Sequence, residues 1–572
     1  MLERCDDALN LDNPSPKVLT PERYAKLAIG NVLKEGLTDI FPDPFEISLL
    51  KRSEFQRVIR SEIVKAVSGG SLESLRMQPI EHVLLPKTTA FDFRRCALMH
   101  PIDTLKYLTL ALSIADAIES QRPPIAKKIV FSYRYAPSKG YLFNQKYTIS
   151  AFHRHTQSKA RQQRVKVLVS CDIANFFDRL NLHRLESILL SIGVEKAKVS
   201  LLNQLLLYWS NRDSYGLPVG SNASRILAEA ALIETDRYLI SIGAQFCRFV
   251  DDYRFFAPNA TVAHYWLTQL IDRLWLEGHT INKSKTKIED VTSLCRSTTS
   301  ASEQKTKTNS QIVDLAAKSE KRPFRIVAGY GGTIPTRFRN ASATEKEKLS
   351  QTSADELLAK IREGNLASPE DVLAFIKSSI YSRRFRLLQH LPQVLNSFPQ
   401  FAPYAVDALI KNREDIDETV RCSLKEAFSA QLAEKSYHPE YIAISLIRLL
   451  GSEGYRDGQI LLTQFRALRR NAGAYIGRVL LDSLEEAVSR GEVLEIRRYF
   501  VRADPWEKRQ IIRIVCRHLH GDENRAWLKG VKIQEASDSF LIELVSPAVK
   551  PKRRKRIRNN KPRPTPSQKS TS

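Results

Sequence analysis

The sequence predicts an α+β chain whose sheet lies in the first half and whose second half is helical throughout. Three observations carry that prediction. Arg248–Phe256 reads as a hairpin, with apolar and aromatic residues on both sides of Asp251-Asp252. Arg164–Cys171 is a tight apolar run of strand length, suited to a buried strand. From about Ala354 to Leu528, amphipathic segments follow one another with short links.

At 572 residues the chain should form several domains. With 43% apolar and 26% charged residues it is ordinary globular material. The formal net charge is +25, and only seven lysines and arginines fall in Lys550–Arg558, so most of the excess belongs to the folded body. A body that basic points to a polyanion, nucleic acid before an anionic membrane surface, because no strongly apolar and basic helix stands out. The seven cysteines (Cys5, Cys96, Cys171, Cys247, Cys295, Cys422, Cys516) are scattered and contain no C-x-x-C pair. That argues against a disulfide framework or a zinc site and for a reducing compartment. No signal peptide and no apolar run of membrane-spanning length can be read, so a cytosolic protein with no membrane partner is expected.

Residues 1–80 read as an N-terminal extension of turns and short helices, such as Pro21–Leu33 and Glu54–Ala66, with no chemistry of their own. Strand-like segments follow, carrying Lys87, Arg94 and Arg95, and Pro101 then opens a helix over Asp103–Ile118. The Arg164–Cys171 strand ends in Asp172-Ile173-Ala174-Asn175-Phe176-Phe177-Asp178. Strand ends gather catalytic side chains, although Asp172 could equally cap a helix over Asn175–Leu190. Gly216-Leu217-Pro218-Val219-Gly220 makes a loop feeding a helix from about Ala223 to Ile240, and glycines there would let a phosphate, base or sugar approach the backbone. The hairpin comes next, with Asp251 and Asp252 expected as its two turn residues. Two adjacent carboxylates repel, and a divalent cation would relieve them. A helix over Val262–Gly278 leads to a basic strand, His279–Ile288.

Residues 291–350 begin with a Ser/Thr/Lys/Gln-rich stretch and hold a Gly-rich turn at Gly329–Gly332, so they read as a linker or connection. Residues 351–548 are expected to be all helix, solenoid-like or bundled, with Ser368-Pro369-Glu370-Asp371 as a well-formed helix start. The tail, 549–572, is basic and Pro/Ser-rich and is expected to be disordered and to add salt-dependent affinity for nucleic acid.

Four pieces thus stand in order: Asp172 at a strand end, the Gly216–Gly220 loop, the Asp251-Asp252 hairpin, and Asn282-x-x-Lys285-Thr286. That order resembles the palm of a reverse transcriptase. Asp172 with Phe176-Phe177 resembles its first palm motif, Gly-Leu-Pro-Val-Gly with Ser224 its second, Phe249-Val250-Asp251-Asp252 its third, and the Lys285 segment its fourth. The resemblance covers residues 81–290 and implies right-hand fingers and palm, with an antiparallel palm sheet. Two departures stand out: Val219 where glutamine is common, and Phe249 for tyrosine. With the long helical region, the motif form is most similar to bacterial abortive-infection and defence-associated reverse transcriptases. Retron and group II intron enzymes are the alternative within the family, and an idle palm that only binds nucleic acid or a partner is the alternative outside it.

The resemblance implies two Mg²⁺ ions, with Mn²⁺ as a substitute, held by Asp172, Asp251, Asp252 and the Ile173 carbonyl. Lys285 would act on the leaving pyrophosphate, Lys87, Arg95 and Gly220 would meet the incoming nucleotide, and Phe177 would exclude the ribose 2′-hydroxyl. Gly216, Pro218 and Ser224 would contact nucleic acid. Nucleic acid and deoxynucleoside triphosphates are the implied partners. An associated non-coding RNA, a second defence protein and self-association stay open, as does templated against untemplated synthesis. Priming by a protein hydroxyl also stays open, with Tyr381, Tyr404, Tyr437, Tyr441, Tyr455, Tyr475 and Tyr499 as candidates.

Overall fold

The computed structural model of the protein describes residues 20–38, 42–87, 92–210, 213–291, 337–338, 340–341, 343–350, 353–362, 369–434, 438–468 and 474–545. Most of the expected connection over 291–350, the Gly329–Gly332 turn, Tyr437 and the basic tail lie outside them.

The first half is built on one four-stranded antiparallel sheet. Its strands are β5 (Val167–Asp172), β6 (Phe246–Phe249), β7 (Asp252–Ala257) and β8 (Lys287–Asp290), in the order β6-β7-β5-β8. β5 is central and apolar, as a strand covered on both faces must be. Two hairpins precede it: β1 (Glu81–Pro86) with β2 (Phe93–Leu98), and β3 (Tyr135–Ser138) with β4 (Tyr141–Phe143). Helix α5 (Pro101–Gln121) starts on a proline, whose missing N–H costs nothing there, and is buried along nearly its whole length. Helices α1 (Pro21–Glu35), α2 (Glu46–Leu49), α3 (Ser53–Ser68) and α4 (Leu72–Leu75) precede it in the chain. α1 and α3 pack on α5, so the N-terminal segment shares the core beneath the sheet. The remaining helices of this half are α6 (Ile149–Ala160), α7 (Phe176–Arg179), α8 (Leu182–Ser191), α9 (Lys196–Ser210), α10 (Asn222–Ala231), α11 (Ile233–Ser241) and α12 (Ala260–Leu276).

Four expectations are corrected. The turn of the β6–β7 hairpin is Val250-Asp251, because Phe249 pairs with Asp252; Asp252 is the first residue of β7. The helix expected over Asn175–Leu190 is two, α7 and α8, separated where Asn181 caps α8 through its Oδ1. Asp172 caps neither, since it pairs across the sheet with Asp252. The helix expected over Ala223–Ile240 breaks at Leu232 into α10 and α11.

In the second half the helices Ala402–Lys411, Glu440–Gly451, Ala474–Leu484, Pro505–His518 and Ser539–Val545 pack each on the next. Behind them Glu418–Ala433, Gly458–Leu468, Arg490–Tyr499 and Asp522–Gln534 each pack on the inner helix that follows. This alternation is that of stacked helix pairs. The stack docks on the first half. The β1–β2 hairpin buries Val83, Leu85, Cys96 and Leu98 in the helical core. Glu46 receives Arg478 at 2.8 Å and Arg509 at 3.2 Å, while His100 stacks on Trp506 at 4.4 Å. Among the described residues no helix is long and apolar enough to cross a membrane.

Candidate active site

The antiparallel register sets Asp172, the last residue of β5, directly opposite Asp252, the first of β7, and Asp251 lies in the turn between β6 and β7. Ile173 N donates to Asp251 O at 3.0 Å, tying the two strand ends together. The loop before β8 closes the third side: Asn282 N donates to Asp172 O at 2.6 Å, and Lys285 Nζ stands 3.2 Å from Asp172 Oδ2. The three carboxylates open on a cavity of about 510 Å³, whose walls also carry Lys87, Arg94, Phe177, Gly220, Lys283 and Lys285.

The turn is strained and held. Val250 adopts φ +55°, a left-handed conformation that a β-branched residue rarely takes. Its N–H donates to Ser132 Oγ at 2.9 Å and its carbonyl accepts from Arg248 Nη1 at 3.2 Å. Arg248 is 0% exposed and bonds Asp236 (2.6 Å) and Glu229 (2.8 Å); Glu229 also takes Arg122 at 2.8 Å. Behind the carboxylates, then, sits a dry ionic network whose terminal bonds fix the backbone of the turn. Sequence reading missed it, because its members come from four separate segments.

Burial pushes the Asp172 carboxyl up, against the opposing pull of Lys285. Asp251 is pushed up to about 7, first by burial and then by the Asp172 charge. A site that penalises its own negative charge in this way suits a divalent cation, and carboxylate oxygens are hard donors. Asp172 and Asp251 fit that role. Asp252 is turned aside: Arg254 holds both its oxygens, at 2.6 and 3.2 Å. Among the described residues no group of three or more His, Cys, Asp or Glu side chains is disposed to hold a metal ion. Arg254 lies two residues along β7 from Asp252, on the same strand face, and that spacing was the available signal for it.

The other residues divide. Lys87, just after β1, lines the cavity, donates to Asn175 Oδ1 at 3.3 Å and pairs with Asp92 at 3.4 Å. Arg94 lines it too, whereas Arg95 lines a separate cavity of about 350 Å³ together with His82 and Tyr215. Successive strand residues face opposite ways, so of the two arginines Arg94 is the one on the carboxylate cavity, and Arg95 is corrected to the neighbouring one. Phe177 lines the catalytic cavity, and its carbonyl accepts from Leu217 N at 2.9 Å. Gly216 has φ +94°, and a Cβ there would stand 3.2 Å from Asp178 O, so the glycine permits the loop to lie against the Phe177 segment. Gly216 and Pro218 line the second cavity, and Gly220 the first. Ser224 is corrected: it is 0% exposed, donates to Pro218 O at 2.6 Å, and shapes the loop from within rather than reaching a nucleic acid. Among the tyrosines, Tyr404 and Tyr455 are buried, and Tyr499 donates to Glu507 at 3.1 Å. Tyr475 lines a small cavity of about 110 Å³ that shares Gly220 and Ser221 with the catalytic one.

Residues 128–313 match the family described as reverse transcriptase (RNA-dependent DNA polymerase). The matched stretch holds Asp172, Gly216–Gly220, Asp251, Asp252 and Lys285, and leaves out the β1–β2 hairpin and the helical half. No curated protein matches the chain. Among solved structures, apo telomerase from Candida tropicalis is similar at 12% identity and a TM-score of 0.29, over 65% of this chain and 68% of that one. Telomerase from Candida albicans, in complex with a fragment of telomeric RNA, is similar at 10% identity and a TM-score of 0.27, over 64% and 66%. At those scores the likeness supports no transfer of residues or roles. The family match, with its motifs gathered at one cavity, makes the chain the bearer of a reverse-transcriptase domain and a nucleotidyltransferase of that class.

Proposed function

We propose that the chain extends DNA from deoxynucleoside triphosphates at the Asp172–Asp251 cavity with the support of two divalent cations, and that it does so in the bacterial cytosol as part of a defence against phage. The observation that carries the chemical part is the register pair Asp172–Asp252 with Asp251 in the intervening turn, all at one cavity. Cations held by Asp172 and Asp251 would neutralise the triphosphate and lower the pKa of the attacking hydroxyl. Lys285, 3.2 Å from Asp172, is placed to give charge or a proton to the departing pyrophosphate. Lys87 and Arg94 stand on the same cavity as point charge and planar fork for the phosphates. Phe177, with its backbone fixed by Leu217, presents its ring to the sugar. The defence part is supported by the form of the Gly216–Gly220 motif and by the docking of the helical stack on the hairpin that carries Lys87 and Arg94.

The test is incorporation of labelled dNTP by the purified full chain with Mg²⁺, wild type against Asp251→Ala, read on denaturing gels that also reveal label bound to protein. Loss of a metal-holding carboxylate removes several kcal/mol of transition-state stabilisation, so a fall of at least about a hundredfold is expected. Equal incorporation by both proteins, or none by either, refutes the reading; the second result with retained nucleic-acid binding favours an idle palm.

A further inference from the structure

Between Glu119 and Asp172 the chain contains no acidic residue and eleven lysines and arginines. At the chain's average of 63 acids in 572 residues, a stretch of that length would carry about six. Two of the eleven, Arg122 and Arg134, are buried and paired with Glu119. The other nine are surface residues, and among the described residues none of Lys127, Lys128, Arg154, Lys159, Arg161, Arg164 or Lys166 makes an ion pair.

The fold gathers much of this charge beside the catalytic hairpin. Ile129–Phe131 runs alongside β6 as a short parallel bridge, with Arg248 N bonded to Ile129 O at 2.8 Å and Phe131 N to Arg248 O at 3.0 Å, so Lys127 and Lys128 stand at the sheet edge. Helix α6 packs on β6 and β7 through Phe152, whose ring meets Phe249 at 6.1 Å and lies under Arg254 at 5.4 Å. Its first residue, Ile149, lines the catalytic cavity. From there α6 carries Arg154 and Ser158, with Arg161 at its C-cap in the same row, and His155 and Lys159 on the adjoining side of the helix. Lys128 and Lys159 both act electrostatically on His155, which sets the sheet edge beside the His155–Lys159 side of the helix. Twelve helical residues span roughly 18 Å, about five phosphate steps of a duplex strand.

An unpaired basic face costs stability through self-repulsion, and a polyanion that covers it removes that cost. We infer that Lys128, Arg154, Lys159 and Arg161 form a track for the phosphodiester backbone of a nucleic acid running from the catalytic cavity along α6. The inference rests on the polymerase reading and adds the path of its nucleic acid. The contacts are to phosphate, so they hold and orient without reading sequence. No acid on the stretch opposes the strand.

The test compares the full chain with Lys128→Gln/Arg154→Gln/Lys159→Gln/Arg161→Gln and with a control of equal charge loss elsewhere, Lys26→Gln/Arg57→Gln/Lys65→Gln/Lys529→Gln. Binding of a labelled single-stranded DNA and of a labelled RNA–DNA duplex is followed by anisotropy from about 50 to 200 mM salt. Loss of four phosphate contacts should lower the slope of log K against log salt by about three, with the larger change for whichever probe follows the track. The control should keep the wild-type slope. An unchanged slope in the α6 variant, or an equal fall in the control, overturns the track. Binding of phosphatidylserine vesicles that only the α6 variant loses, with nucleic-acid binding intact, overturns it in favour of a membrane surface. If wild type incorporates dNTP while the slope is unaffected, the track fails and the polymerase reading stands; if wild type neither binds nor incorporates, both fail.

Discussion

Replacing Arg248 by methionine should separate what the buried network does for stability from what it does for the catalytic turn. The guanidinium is 0% exposed and bonds Asp236 through Nε at 2.8 Å and Nη2 at 2.6 Å. Its Nη1 serves Glu229 at 2.8 Å and the Val250 carbonyl at 3.2 Å. After the substitution Glu229 keeps Arg122 and Ser132, but Asp236, itself 0% exposed, has no other ion pair among the described residues. Leaving one partner of a buried pair uncompensated costs about 3–5 kcal/mol, while replacing both by apolar groups is close to neutral. Arg248→Met should therefore destabilise the first half by that amount, and Arg248→Met/Asp236→Leu should recover most of it. Nucleotide incorporation should stay low in both, because Val250 at φ +55° has lost the bond to its carbonyl in either case. Urea unfolding followed by circular dichroism measures the first effect, and incorporation at saturating dNTP the second. A cost below about 1 kcal/mol for the single variant, or a double variant no more stable than the single, would refute the ion-pair account. Full activity in the double variant would show that the turn does not need Arg248.

Three further outcomes are expected. Phe177→Val should admit ribonucleotides, because only the bulk of the ring separates the two sugars; primer extension with rNTPs that remains absent would move the gate to another residue. Arg94→Ala should raise the KM for dNTP by roughly ten- to a hundredfold, the loss of about 1.5–3 kcal/mol for a charged hydrogen bond, whereas Arg95→Ala should leave it near wild type; steady-state kinetics reversing that order would refute the face assignment. Asp103 is 2% exposed, and burial, opposed by Lys106, raises its carboxyl from 3.8 to about 6. The folded state thus holds a proton that the unfolded state has released between those values, so this group's contribution to stability falls as pH rises from about 4 to 6 and is constant above. The slope is worth up to about 3 kcal/mol, Asp103→Asn should remove it, and urea unfolding across that range checks it.

What the sequence determined by itself was local. The apolar run that makes β5 a central strand, the proline that starts α5 and the aromatic flanks of Asp251-Asp252 each act over a few residues, so the α+β division, Asp172 at a strand end and the Asp251-Asp252 pair at a hairpin tip could be read directly. The helices of the second half were legible for the same reason, since apolar spacing along one chain suffices to define them. Pairing decided the rest. Moving the turn by one residue, from Asp251-Asp252 to Val250-Asp251, sets Asp252 across from Asp172 and within reach of Arg254, and register depends on what the neighbouring strand buries. The same alternation sends Arg94 to the carboxylate cavity and Arg95 to the neighbouring one. Ser224 looked like a contact residue and is buried, because α10 turns it inward against Tyr107 and the Pro218 carbonyl. Arg248, Glu229, Asp236 and Arg122 meet across more than a hundred residues of sequence, and their charges could be buried only because each finds its partner there. Side-chain chemistry and short-range pattern are written in the chain, whereas which face meets which is settled only when the whole core closes.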